Sequence, residues 1–178
     1  IQTMCGASTL FPVVKANAYG HGLVKIAKFL DSESIKGICV ATCKEILEVI
    51  KLDLRINILH LGRISLSDKK LFNNKIIYTI NCKEDIFYIN NICKKFSKKI
   101  RCHIKIDTGM NRMGCKESDF MEILDLSMTS KYISLEGVYS HLACADDSNS
   151  LNNKHQISLF KRIIDSSKGC TLKYHILN

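Results

Sequence analysis

Seven short apolar runs, rich in β-branched residues, recur along the chain at residues 10–14, 37–41, 57–61, 75–80, 101–106, 135–140 and 171–176. Six stretches of helical period separate them, at residues 23–30, 43–51, 67–73, 83–95, 116–127 and 152–167. Runs that are apolar on consecutive positions read as strands covered on both faces. Such strands alternating with amphipathic helices predict parallel βα units. A (β/α)8 barrel has eight units in about 250 residues. Seven strand signals in 178 residues therefore predict an α/β chain, an incomplete (β/α)8 TIM-type barrel with about seven βα units. Ser67 and Asp68 read as start signals for the third helix, and Ile157, Phe160, Ile163 and Ile164 fall on one face of the sixth.

Composition narrows the function classes. A hydrophobic fraction of 46% excludes a disordered chain, and the absence of any eighteen-residue apolar run argues against a membrane partner. The start, Ile1-Gln2-Thr3-Met4, has no signal-peptide pattern. The net charge of +9 raises nucleic acid as a partner, but 21 of the 26 basic residues are Lys and only 5 are Arg, the usual base reader. The densest basic run, Lys94, Lys95, Lys98 and Lys99, reads as a solvated helix end and loop, so no nucleic-acid partner is expected. Nine cysteines occur without a CxxC pair, which predicts no metal site, reduced thiols and a cytoplasmic location.

Against the strand map, several polar residues stand out. Lys15 follows the first run, Lys105 and Arg112 lie at and after the fifth, His141 ends the sixth, and His175 and Asn178 end the seventh. In a βα barrel the C-terminal strand ends converge on one face, where sites form. A Lys at a barrel mouth of low dielectric becomes a usable nucleophile toward a carbonyl.

The local strings carry a resemblance. Residues 13–22, Val-Val-Lys-Ala-Asn-Ala-Tyr-Gly-His-Gly, closely resemble the cofactor-lysine motif of bacterial alanine racemases. Residues 105–114, Lys-Ile-Asp-Thr-Gly-Met-Asn-Arg-Met-Gly, are similar to the family's second signature. Residues 137–146, Gly-Val-Tyr-Ser-His-Leu-Ala-Cys-Ala-Asp, resemble its third. His175-Ile176-Leu177-Asn178 is similar to a His-x-x-Asn stretch, with Leu177 where the family usually has a small residue.

The resemblance implies pyridoxal 5'-phosphate as cofactor and alanine as substrate. Lys15 would hold the cofactor and exchange a proton with the substrate Cα on one face. Tyr19 would donate its hydroxyl to the cofactor phosphate, and Gly20 and Gly22 would free the backbone there. Arg112 would face the cofactor's phenolic oxygen and the substrate carboxylate, which suit its planar fork. Lys105 resembles a lysine that many members carbamylate, an anion that would position Arg112. His141 would pack on the pyridine ring, and Asn178 would join the cofactor-binding set. His175 would support an arginine facing the pyridine nitrogen, with His21 behind the site. Asp107 and Met110 are expected to shape their loop. His60, His103 and His155 match no signature position.

The implied activity is a PLP-dependent isomerase interconverting L- and D-alanine for peptidoglycan synthesis, cytoplasmic and homodimeric when intact. The family continues with a pyridine-facing arginine and a separate β domain that carries the second acid/base, a tyrosine. On this reading residues 1–178 form a partial barrel domain without the C-terminal β domain, and are expected to be inactive alone. Two alternatives stand beside it. One is a non-catalytic, single-domain PLP-binding barrel of carrier or homeostasis type, against which the string at 16–22 argues. The other is a non-functional remnant with open sheet edges.

Overall fold

An apolar run becomes a strand when a neighbouring backbone can take its hydrogen bonds, and here the neighbours are parallel. The computed structural model describes residue 6, residues 8–147 and residues 149–176. The chain divides into two compact units, residues 1–79 and 80–178.

In the first unit β1 (Gly37–Val40), β2 (Asn57–His60) and β3 (Ile76–Ile80) pair in chain order. The register places Cys39 beside Leu59 and Leu59 beside Ile77. These three side chains form a buried cluster, with Phe11 and Leu61 packed on it. The connecting helices are α1 (Leu23–Ser32) and α2 (Cys43–Ile50). Thr42 and Glu45 close a reciprocal capping box that starts α2.

In the second unit β4 (Ile100–Lys105), β5 (Ile133–Ser140) and β6 (Lys173–Ile176) are again parallel and in chain order. Their helices are α3 (Lys83–Phe96), α4 (Phe120–Thr129) and α5 (Leu151–Ser166). The β4–β5 register shifts at Cys102 and His103, so that Glu136 has no opposite residue. Its carboxylate takes the Arg101 guanidinium instead. A Cβ on Gly137 would stand 3.1 Å from the His103 ring and 2.7 Å from the Lys173 carbonyl oxygen, so glycine is what lets that ring lie across β5.

Three sequence expectations need correction. Six strands, not seven, occur among the described residues, because residues 10–14 form only the single bridge Val13↔Cys39. Pro12 has no N–H to extend the ladder, and beyond Val14 the chain turns left-handed. Residues 67–73 make no α-helix. Asp68 caps as expected, but over one 3-10 turn, Lys69–Leu71, whose only buried side chain is Leu71. In α5 Ile157 faces solvent, and the buried stripe is Asn153, Gln156, Phe160 and Ile163. The spacing is helical, but two of its four members are polar because they serve the loop before α5.

Four of the described cysteines, Cys39, Cys93, Cys102 and Cys115, are buried, and all eight described cysteines are free thiols. Burial pushes Cys39 and Cys115 up to about 12 and Cys93 up to about 11, which keeps them protonated as small hydrophobes. No described helix is long and apolar enough to cross a membrane.

Candidate functional site

The first cluster is built on a left-handed turn. Ala16, Asn17, Ala18 and Tyr19 have φ of 52°, 55°, 53° and 53°, and Gly20 and Gly22 follow at 92° and 94°. Non-glycine residues avoid this region because Cβ crowds the following carbonyl, so the turn exists only where its surroundings hold it. Several bonds do so. Val14 N–H donates to the Cys39 carbonyl at 2.8 Å and anchors the entry. Ala18 N–H donates back to the Val14 carbonyl, and Gly20 and Gly22 N–H both donate to the Asn17 carbonyl. The Asn17 side chain accepts from Leu23 N–H at 2.8 Å and so caps α1 as well. Asn is among the few side chains that tolerate this backbone.

The turn buries Ala18 and leaves Lys15 half-buried. The Tyr19 ring is 61% exposed, and Lys15 Nζ lies 6.0 Å from its centroid. The two residues expected to hold the cofactor and its phosphate thus stand together.

The second cluster follows β4. Asp107 accepts from Gly109, Asn111 and Arg112 N–H, each at 3.0 Å, and so folds residues 107–112 around one carboxylate. The chain returns to bridge Ile106 with Cys115. Gly114 permits that return at φ +118°, since a Cβ there would meet Asp107 N at 2.7 Å. Asp107 therefore shapes the loop, as expected. The loop presents Arg112 on the surface, its side chain exposed.

Lys105 is buried, with Nζ 5.8 Å from the Tyr139 ring centroid. Tyr139 also stacks on His175, centroids 4.8 Å apart and planes within 2°. Tyr139 is thus the common wall of Lys105 and His175. His175 Nε2 lies 3.2 Å from His103 Nδ1, so one ring must donate to the other. Burial, and then the charges of His175, Lys173 and Arg101, lower His103 to about 3. Burial lowers His175 to about 4. Both rings are therefore neutral at neutral pH.

His141 is held by its backbone. Gln156, fully buried, donates through Nε2 to the His141 carbonyl and to Thr108 Oγ1, both at 3.0 Å. Its Oε1 accepts from Ala143 N–H at 2.9 Å. Ser140 Oγ donates to the Ile106 carbonyl, so it must accept from Thr108 Oγ1 at 2.7 Å. One directed chain runs from Gln156 through Thr108 and Ser140 to the Ile106 carbonyl, just past β4. Asn153 adds bonds from Nδ2 to the Cys144 and Asp147 carbonyls.

Of the expected site residues, the first unit places Lys15 and Tyr19 together. The second unit sets Lys105 and His175 against Tyr139 and seats Arg112 and His141 on loops organised by Asp107 and Gln156. Asn178 lies outside the described residues. Sequence reasoning missed Glu45, Gln156 and His103. The capping-box spacing Thr42-x-x-Glu45 is a visible signal for Glu45. For Gln156 the signal is its place in the helical stripe 153, 156, 160, 163. Nothing local marks His103 as a partner of His175.

The chain is similar to known proteins along most of its length. An alanine racemase of Francisella tularensis subsp. mediasiatica is 37% identical over 164 residues, covering 92% of this chain and 44% of the relative. One from Borreliella burgdorferi strain ZS7 is 32% identical over 169 residues, covering 94% and 45%. The solved alanine racemase of Clostridium difficile 630 superposes with a TM-score of 0.83 at 32% identity, covering 94% of this chain and 45% of that one. The chain thus spans about half the length of the relatives it matches, and the likeness supports an α/β barrel fold of the alanine racemase type. Residues 1–178 match the family "Alanine racemase, N-terminal domain", and the chain belongs to that family.

Proposed function

We propose that this chain is the cofactor-binding part of an alanine racemase, a PLP-dependent isomerase that interconverts L- and D-alanine in the cytoplasm for peptidoglycan synthesis. The observation that carries the reading is the left-handed turn, which presents Lys15 and Tyr19 together on a backbone held by hydrogen bonds. A half-buried primary amine beside an exposed phenol suits an aldehyde-bearing aromatic phosphate. When bound, such a cofactor supplies an electron sink for the pair left on the substrate Cα.

The chain's own residues would do the rest. Lys15 would hold the cofactor and move the Cα proton on one face. Tyr19 would donate its hydroxyl to the phosphate. Arg112 would clamp the substrate carboxylate through two parallel N–H donors. Lys105, converted to a carbamate, would turn from a cation near Arg112 into an anion that orients it. His141 would cover the pyridine ring, and His175, locked by His103 and Tyr139, would support a donor at the ring nitrogen. Asn178 remains part of the cofactor-binding set.

Inversion needs a second proton donor on the other face. Tyr78 spends its hydroxyl on the Leu71 carbonyl and Tyr174 on Ser167, and Tyr139 is stacked on His175. By the family resemblance we propose that residues 1–178 act as a partial domain whose second acid/base comes from a separate β domain, in a homodimer of the intact enzyme. The test is borohydride reduction of cofactor-loaded protein followed by peptide mapping. The pyridoxyl group is expected on Lys15. Label spread over the 21 lysines would overturn the assignment. Racemisation by residues 1–178 alone, above a cofactor-only control, would overturn the need for another acid.

A further inference from the structure

We propose that Glu45 is a positioning residue for Lys15: its carboxylate clamps the backbone N–H of Ala16 and holds the left-handed turn in the shape that presents Lys15 and Tyr19. The proposal rests on the reading of Lys15 as the cofactor lysine.

The turn has four consecutive non-glycine residues at positive φ. Each sits in a conformation that relaxes to the right-handed or extended region unless something prevents it. The bonds from Ala18, Gly20, Gly22 and Leu23 run within residues 14–23 and move with the turn. The bond from Ala16 N–H to Glu45 Oε1, at 2.7 Å, reaches across 29 positions to a helix. It acts on the residue directly after Lys15, where a change of φ would swing the lysine.

Glu45 is fit to be an anchor because it is itself fixed. Its Oε2 accepts from Ala41 and Thr42 N–H at 2.9 Å each, and its own N–H donates to Thr42 Oγ1 at 3.2 Å. The carboxylate therefore ties the end of β1, the start of α2 and the Lys15 turn into one joint. Its charge is kept: burial alone would raise its pKa, but the donors from Ala41, Ala16 and Thr42 outweigh that and hold it below the ordinary carboxylate range. Hydrogen bonds to a charged acceptor are roughly twice as strong as neutral ones.

The two jobs of Glu45 can be separated. A glutamine at this position of a capping box still closes the box. Its single oxygen can serve Ala41 and Thr42, but the amide NH2 that replaces Oε1 is a donor and cannot accept from Ala16. Glu45→Gln thus keeps the cap and breaks the clamp. Thr42→Ala does the reverse, weakening the cap while leaving the Ala16 bond.

The experiment uses the full chain, loaded with pyridoxal 5'-phosphate, reduced with borohydride after timed intervals and mapped by peptide. Glu45→Gln is expected to slow labelling of Lys15 about ten-fold, and Thr42→Ala by less than about two-fold although it too lowers the unfolding midpoint. Labelling of Glu45→Gln within about two-fold of the parent would overturn the positioning role. Amide exchange gives an independent readout: Ala16 N–H is expected to be protected in the parent and to lose protection in Glu45→Gln, while Val14 N–H keeps it. Equal exchange at Ala16 in both would overturn the clamp itself. A parent that labels elsewhere than Lys15 would instead sink the reading of the site, and leave the clamp to be judged by exchange.

Discussion

Two loops of this protein carry its most distinctive motifs, and in each one carboxylate accepts three backbone N–H groups. After β4, Asp107 serves Gly109, Asn111 and Arg112, all within five residues of itself. After Val14, the turn at 15–19 leans on Glu45, whose acceptors serve Ala16 in one segment and Ala41 and Thr42 in another. The Asp107 loop is a local object, since its anchor and donors are neighbours in sequence and its geometry is ordinary apart from the glycines and Asn111. The Lys15 turn is a tertiary object, with four strained residues held from a helix 29 positions away. Arg112 thus rides on a self-contained loop, whereas Lys15 rides on a backbone fixed from outside.

The contrast can be broken most forcefully at Gly114. Gly114→Ala puts a Cβ against Asp107 N at positive φ, and should cost about 3 kcal/mol, read from the urea midpoint. A loss below about 1 kcal/mol would mean that the Asp107 loop yields easily and is less self-contained than its bonds imply. Next, Asp107→Ala removes three acceptor bonds at once and should cost about 2 kcal/mol, with faster proteolysis confined to residues 107–114. Protease sensitivity appearing in residues 15–23 instead would erase the distinction between a local and a tertiary loop.

Acid should produce a loss of similar size. His103 and His175 are lowered in the folded state to about 3 and about 4, chiefly by burial. The unfolded chain takes up protons near an ordinary histidine value of about 6.5, while the folded chain refuses them. Their contribution is full above that pH and is lost as pH falls toward the folded values, the loss reaching about 2 kcal/mol for each ring near pH 5. His60, also lowered by burial, adds in the same direction. Glu45, a carboxylate whose pKa is lowered, contributes above its unfolded value of about 4.3 and fails only in stronger acid. Urea midpoints measured from pH 7 to pH 4 should slope downward from about pH 6.5, and His103→Gln should flatten that slope. A flat profile in the parent would contradict the buried neutral pair. The smallest effect is expected from Thr42→Ala, about 1 kcal/mol for the lost cap, with the Lys15 turn intact by amide exchange.

The sequence by itself determined the parallel βα character, because consecutive apolar runs and helical periods are local patterns that burial imposes on each element separately. It determined the family through three strings that lie within single loops and strand ends. It also marked Asp107 as a shaping residue, whose donors lie two to five positions away. Tertiary structure decided the rest. Residues 10–14 look like any buried strand, but the pairing stops at one bridge because Pro12 offers no N–H and the chain then turns left-handed. Ile157 fits the helical stripe, yet Asn153 and Gln156 take the buried side because the loop from His141 to Asp147 offers carbonyls and an N–H that need partners. The Glu45 clamp and the His103–His175 pair, 72 positions apart, join groups that sequence cannot connect. Every residue but proline carries the same N–H, and every histidine the same two nitrogens, so only the folded backbone decides which of them meet.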